Sequence, residues 1–272
     1  MTAEATPPPA ALPKKTPQVD LDRTRERLTR LGLLHAADRL GEHVALAAKE
    51  TYPPHRFLDT LLEAELAARD ERRVRTSLKL SGLPTGQTLS NFDFAFQPSV
   101  ERTRIETLAT CACIRERESL LLQGPPGVGK THLAVALAVR AVENAFSVAF
   151  HRLEDLLAAL KRDAEGHPAR LRQRKHMNVA LLVIDELDFE PMSRHEASLF
   201  LRLVSYRYGR GSILITTNKG VAEWPGVLAG DEVLATAILD RLLHRCHVLN
   251  ISGRSYRLRE LERAAAGPAG RG

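Results

Sequence analysis

The stretch Gly124-Pro125-Pro126-Gly127-Val128-Gly129-Lys130-Thr131 admits few folds. It follows an apolar run, Leu120-Leu121-Leu122, and precedes a helix-forming run from His132 to Val142. A buried strand, a glycine turn and a helix in that order make a P-loop, the backbone cradle for nucleotide phosphates. Gly124, Gly127 and Gly129 tolerate backbone angles that turn N–H groups inward. The positive end of the next helix adds to the same field. Lys130 is placed to reach the β- and γ-phosphates, and the Thr131 hydroxyl to complete the oxygen shell of Mg²⁺. The cradle expected to bind nucleotide therefore runs from Gly124 through Pro125, Pro126, Gly127, Val128, Gly129, Lys130 and Thr131 to His132.

About fifty residues on, Ala180-Leu181-Leu182-Val183-Ile184 ends in Asp185-Glu186. A parallel strand buried on both faces is apolar throughout, and its carboxyl end opens onto the ligand crevice. Asp185 is expected to hold the metal, and Glu186 to polarise the water that attacks the γ-phosphate. A third apolar strand, Ile213-Leu214-Ile215, ends in Thr216-Thr217-Asn218. Asn218 is read either as a turn residue or as a hydrogen-bonding partner of the γ-phosphate or attacking water. Strands at 119–123, 147–151, 179–184, 212–216 and 247–251 alternate with helices at 130–144, 153–164, 194–208 and 233–243. That alternation predicts an α/β fold with a parallel sheet covered by helices on both faces.

The flanks differ from this core. Residues 1–19 are rich in proline without apolar periodicity, and read as a disordered tail, as do residues 261–272. Residues 20–80 form a separate helical domain, with Gly32 and Gly41 as potential breaks. Its last helix, about 55–80, is expected to bury Phe57, Leu58, Leu61, Leu62 and Leu66. The far end of that helix carries Arg69, Arg72, Arg73, Arg75 and Lys79. They form either a solvated, internally paired face or a stripe contacting the phosphates of duplex DNA. A second basic group, Arg170, Arg172, Arg174, Lys175 and His176, is a polar connection or a lining for DNA in an oligomer. Residues 81–98 form a linker in which Phe92, Phe94 and Phe96 alternate as in an extended segment, packing on the core or meeting an adenine. A helix follows from Val100 to Glu118, and the ATPase domain spans 99–260. The formal charge of +6 weakly favours a polyanionic partner. Cys111, Cys113 and Cys246 give neither a disulfide framework nor a zinc spacing and read as reduced core thiols. No apolar run is long enough to span a bilayer and no secretory signal is visible, so the expected location is the cytoplasm, with no membrane partner.

Taken together, the P-loop, Asp185-Glu186, Thr216-Thr217-Asn218, the segment 237–246 (Ala-Ile-Leu-Asp-Arg-Leu-Leu-His-Arg-Cys) and Gly253-Arg254-Ser255-Tyr256-Arg257 resemble the IstB family. These are AAA+ ATP-binding helpers of insertion-sequence transposition, related to the helicase loader DnaC and the initiator DnaA. The likeness covers roughly residues 20–260. It implies an AAA+ core with a five-stranded parallel sheet behind a small helical N-terminal domain. It also implies an ATPase using ATP and Mg²⁺ that oligomerises on double-stranded DNA, with ATP sites at subunit interfaces, and recruits and stimulates a cognate transposase. By the same likeness Arg241 resembles an arginine finger donated to a neighbouring subunit. Arg257 resembles the arginine that contacts the γ-phosphate within one subunit, with Arg254 and Arg259 as near alternatives. A helicase loader acting on single-stranded DNA and a ring helicase is the competing function.

Overall fold

Leu120, Leu121 and Leu122 are apolar in succession because their strand, β1 (Ser119–Gln123), is covered on both faces. The structure, a computed structural model, describes residues 20–166, 174–187 and 190–259. The chain divides between Arg72 and Arg73 into two compact units, each described by itself below.

In the first unit, α1 (Leu21–Arg30) and α2 (Leu34–Lys49) precede α3 (Pro54–Ser81), within which the division falls. Asp20 caps α1 by accepting the Arg23 N–H at 3.0 Å. Of the two expected breaks only Gly32 is one, at φ +73°; Gly41 lies inside α2. The core is small: Ala36, Leu40 and Leu61, with Phe57 packed against them. The expected burial of Leu58, Leu62 and Leu66 is not observed, since these are 51%, 39% and 61% exposed. The inward face of α3 is instead Phe57, Leu61 and Glu65, one residue in each turn. Glu65 is buried because its carboxylate accepts the Ala36 N–H at 2.9 Å and the Arg69 guanidinium at 2.8 Å.

The second unit is built on a five-stranded parallel sheet in the order β2-β3-β4-β1-β5. Its other strands are β2 (Val148–Arg152), β3 (Leu181–Asp185), β4 (Ser212–Thr217) and β5 (Cys246–Asn250). One face packs Leu120, Leu122, Leu181, Val183 and Leu214 against α4 (Arg102–Ala109), α5 (Ala112–Arg115) and α6 (Lys130–Glu143). The alternate residues Leu121, Leu182, Ile184, Ile213 and Ile215 face the other way. They meet α7 (Leu153–Ala164), and, beyond the four-residue α8 (Lys175–Asn178), α9 (Arg194–Arg207), α10 (Trp224–Val227) and α11 (Glu232–Leu243). Each strand thus feeds two cores, which fixes its register and holds its carboxyl end in place.

Two local expectations are corrected. The helix expected over Val100–Glu118 is two helices, because Cys111 between them takes a left-handed φ of +61°. Phe92, Phe94 and Phe96 do not lie on an extended segment. The Phe94 N–H donates to the Phe92 carbonyl and that of Phe96 to the Asp93 carbonyl, so the chain coils through turns. That coil brings the Phe92 ring to 4.9 Å from Phe94 and 5.4 Å from His132, centroid to centroid.

Candidate nucleotide-binding site

The loop from Gly124 to Gly129 leaves the carboxyl end of β1, between β4 and β5, and enters α6. Backbone approach there is close enough to exclude any side chain at Gly124. With φ at +153°, a Cβ would lie 1.9 Å from the Ile251 carbonyl oxygen. Gly129 caps α6 at φ +96°, and a Cβ would meet the Phe92 ring at 2.8 Å. Val128 is fully buried and anchors the loop in the core.

Lys130 is the buried cation of this loop, 8% exposed. Its ammonium donates to the carbonyls of Gly124 at 2.8 Å and Pro125 at 2.7 Å, and to Asn218 Oδ1 at 2.7 Å. Three oxygens thus fix the charge on the loop axis. Beside it the Thr131 hydroxyl donates to Asp185 Oδ1 at 2.9 Å, and the Thr216 hydroxyl donates to the same oxygen at 2.5 Å. Thr216 also accepts the Glu186 N–H at 3.0 Å, and its carbonyl accepts the Leu187 N–H at 3.1 Å. Glu186 sits at φ +58°, a conformation that costs a non-glycine residue of order 1 kcal/mol. Thr216 therefore aims both acidic residues, and nothing in its own segment had singled it out from Thr217.

A cavity of about 470 Å³ opens above these groups. Of the residues expected to bind nucleotide, Pro126, Gly127, Gly129, Lys130, Thr131, His132 and Arg257 line it, and so do Glu186 and Asn218. Gly124, Pro125, Val128 and Asp185 stand behind that surface. Gln87, Asn91, Phe92 and Tyr256 close another side. The volume and mixed lining suit a ligand of nucleotide size. His132 Nε2 meets the Thr88 carbonyl oxygen at 2.9 Å, which ties α6 to this wall.

The segment after β5 straps the loop to the preceding linker, an arrangement that residue spacing did not signal. The Tyr256 N–H donates to the Gly127 carbonyl at 2.9 Å, and its hydroxyl to the Asp93 carbonyl at 2.7 Å. Arg259 pairs with Asp93 at 2.9 Å and lies over the Phe96 ring at 4.3 Å. The Arg259 guanidinium holds the Asp93 carboxyl below its ordinary range, helped by the Phe96 N–H. Arg254 is not on the cavity wall; its carbonyl accepts from the Gln97 amide at 2.6 Å.

A sequence profile of the IstB-like ATP binding protein family matches residues 26–264. The chain belongs to that family. It is 43% identical over 237 residues to the ATP-binding protein of insertion sequence IS21 from Pseudomonas aeruginosa, spanning 87% of this chain and 89% of that one. Against the corresponding protein of insertion sequence IS5376 from Geobacillus stearothermophilus it is 37% identical, over 88% of this chain and 95% of that one. Among solved structures, AMPPCP-bound DnaA from Aquifex aeolicus superposes with a TM-score of 0.51 at 17% identity, over 68% of this chain and 56% of that one. The fold is that of an AAA+ P-loop core, as the sequence predicted.

Other expected functional residues of this IstB-like chain lie elsewhere. Arg241, in α11, donates to the Ala237 carbonyl at 2.7 Å and lines a second cavity at the amino-terminal edge of the sheet. A five-residue strand spans roughly 16 Å, so Arg241 is a strand's length from its own P-loop. In the first unit Arg69 bonds Glu65 and the Gly32 carbonyl, and Arg72 lies 3.6 Å from Glu65. In the second, Arg73 donates to the Val142 carbonyl at 3.1 Å, while Arg75 and Lys79 are exposed. Arg174 pairs with buried Asp163 at 2.7 Å, and the Lys175 ammonium donates to the Leu80 carbonyl. Arg170 and Arg172 lie outside the described residues, as do the two terminal segments. The thiols are free; burial pushes Cys113 up to about 11 and Cys246 to about 12, so neither is ionised near neutrality. No helix among the described residues is long and apolar enough to cross a membrane.

Proposed function

We propose that this protein is a Mg²⁺-dependent ATPase that assembles on duplex DNA and recruits and stimulates a transposase during insertion-sequence transposition. The observation that carries the ATPase reading is the convergence on one cavity of Lys130, Asn218 and Glu186, with Thr131 and Thr216 joined on Asp185 behind them. Thr131, Thr216 and Asp185 present only oxygen donors, the set a hard divalent cation requires. Thr131 and Asp185 would hold Mg²⁺, which neutralises charge across the β- and γ-phosphate oxygens.

Lys130 exchanges its carbonyl partners for phosphate oxygens and neutralises them at close range. Glu186, aimed by Thr216, accepts a proton from the attacking water. Asn218, fixed by Lys130, orients that water or the γ-phosphate. Arg257 and Arg259 both line the cavity, but Arg259 is engaged by Asp93, which favours Arg257 as the cation that senses the γ-phosphate in the same subunit. Arg241 faces the opposite edge, and so serves a neighbour's ATP in an assembly with sites at its interfaces.

The insertion-sequence names of the relatives support the transposition setting, with a transposase as partner. The formal charge of +6 and the exposed Arg75 and Lys79 support contact with DNA phosphates. The test is mass by light scattering with ATP and Mg²⁺, on duplex and on single-stranded DNA of equal length. Assembly should require ATP, prefer duplex and weaken steeply with salt. Assembly on single strands alone would replace this function with helicase loading. Lys130→Ala should abolish nucleotide binding; unchanged affinity would remove the P-loop from the account.

A further inference from the structure

Residues 93–99 of the linker clasp residues 252–259, the segment that follows β5, at points spread along both. The Ser99 hydroxyl donates to the Ser252 carbonyl at 2.6 Å and accepts the Ser252 N–H at 3.1 Å. Next along, the Gln97 amide holds the Arg254 carbonyl. Asp93 closes the far end twice, its carbonyl taking the Tyr256 hydroxyl and its carboxylate pairing with Arg259. The Phe96 ring fills the space between, with its centroid 4.6 Å from that of Tyr256 and the Arg259 guanidinium over its other side.

Residues 256–259 form a helical turn. Helical positions three apart share a face, whereas adjacent positions do not. Tyr256 and Arg259 therefore meet the linker from one face, and Arg257 lies off that face. All three reach the wall of the nucleotide cavity, but only Arg257 does so without being engaged by Asp93. The same turn rests on the phosphate loop. The Tyr256 N–H donates to the Gly127 carbonyl, and a Cβ at Gly127, where φ is +80°, would fall 2.1 Å from Ser255 Oγ. A turn fixed to the P-loop on one side and to Asp93 on the other has little freedom to tilt.

The Arg259 and Asp93 side chains are 25% and 41% exposed. An ion pair so open to water adds little to stability. Its worth is geometric: it fixes the rotation of the turn and occupies the charge of Arg259. Such alignment matters to turnover, because a misplacement of about 1 Å can cost about 10²-fold in rate. We propose that Asp93 is a positioning residue for ATP hydrolysis. By holding Arg259 and Tyr256 it sets Arg257 at the γ-phosphate and keeps Arg259 from taking its place. The proposal rests on the ATPase reading and adds to it the residue that aligns its cation.

The test first measures turnover with ATP, Mg²⁺ and duplex DNA, and the affinities for ATP and ADP, in the native chain. A native chain that neither binds nor hydrolyses ATP overturns the ATPase reading, and this proposal with it. Asp93→Asn keeps the main-chain carbonyl and the side-chain acceptor of the Phe96 N–H, so only the charge is lost. It should lower kcat by about ten- to a hundredfold. ADP, which lacks the γ-phosphate, should bind as before, and the melting temperature should stay unchanged. Asp93→Glu, which retains the charge, should recover most of the turnover. A clasp that served only to hold the loop together would weaken ATP and ADP alike, and that result overturns the proposal. The deciding comparison places Asp93→Asn in an Arg257→Ala chain, where no further loss is expected because nothing is left to align. An equal loss in both backgrounds overturns the proposal while leaving the ATPase reading in place. Should Asp93→Asn melt early, Arg259→Gln breaks the same pair from the other side and is carried through the same comparison.

Discussion

Thr216 links the two acidic residues of the site through a single hydroxyl, donating to Asp185 and accepting from the Glu186 backbone. Removing that hydroxyl should disturb both at once. Thr216→Val, nearly equal in volume, should leave ATP affinity within a few-fold and lower turnover by about 10²-fold, the scale of losing general-base placement. A steady-state assay paired with a nucleotide-binding titration checks this, and native turnover would free Glu186 from dependence on Thr216. Glu186→Gln should keep binding and lose turnover by about 10²–10⁴-fold. Hydrolysis at the native rate would assign the base elsewhere. At this scale the sequence was informative where chemistry is local: an eight-residue loop carries its own spacing. Thr216 was not legible, because its role depends on a partner strand that residue order does not reveal.

Elements hold the site in place through their ends. α9 starts with a capping box, in which Glu196 Oε2 accepts the Ser193 N–H at 2.7 Å and Ser193 caps the Glu196 N–H in return. The Lys161 ammonium of α7, 2.8 Å away, and then the Ser193 hydroxyl bring the Glu196 carboxyl down to about 2. A carboxyl lowered on folding stabilises above its unfolded value and loses that contribution as pH falls through the folded one. Glu196→Gln should therefore destabilise by about 1 kcal/mol near neutrality. The difference should fade between pH 4.5 and about 2, as thermal melts across that window would register. A gap that stays constant with pH would mean that the ionised carboxylate is not what supports α9. The boundaries of β1 and α7 agree with the sequence expectation, since the unbroken apolar run of β1 and the helical apolar period of α7 are strong. The break at Cys111 had no such period to mark it, and the alternation of Phe92, Phe94 and Phe96 pointed to an extended segment where the chain coils.

The whole molecule presents its P-loop at one edge of the sheet and Arg241 at the other. A cation so placed serves a catalytic site only across a subunit interface. Arg241→Ala should keep ATP binding by the single chain and lose turnover that depends on assembly, a loss of about 10³–10⁵-fold for a finger in trans. Mixing it with Lys130→Ala should restore activity, because one partner supplies the P-loop and the other the arginine. At equal amounts roughly a quarter of head-to-tail interfaces would combine the two intact halves. A mixture as inactive as its components would place the finger on another residue.

The sequence by itself determined the phosphate cradle, the acidic end of β3 and the alternation that makes a parallel sheet. These are contiguous patterns, in which spacing alone carries the physics. The tertiary structure decided which distant groups meet: Asn218 on Lys130, Thr216 on Asp185, and Arg259 on Asp93. It also decided that Glu65, rather than Leu62 or Leu66, lies inward on α3. Strand order and helix rotation are settled by burial and by the need to satisfy buried polar groups, and these act between residues far apart in the chain.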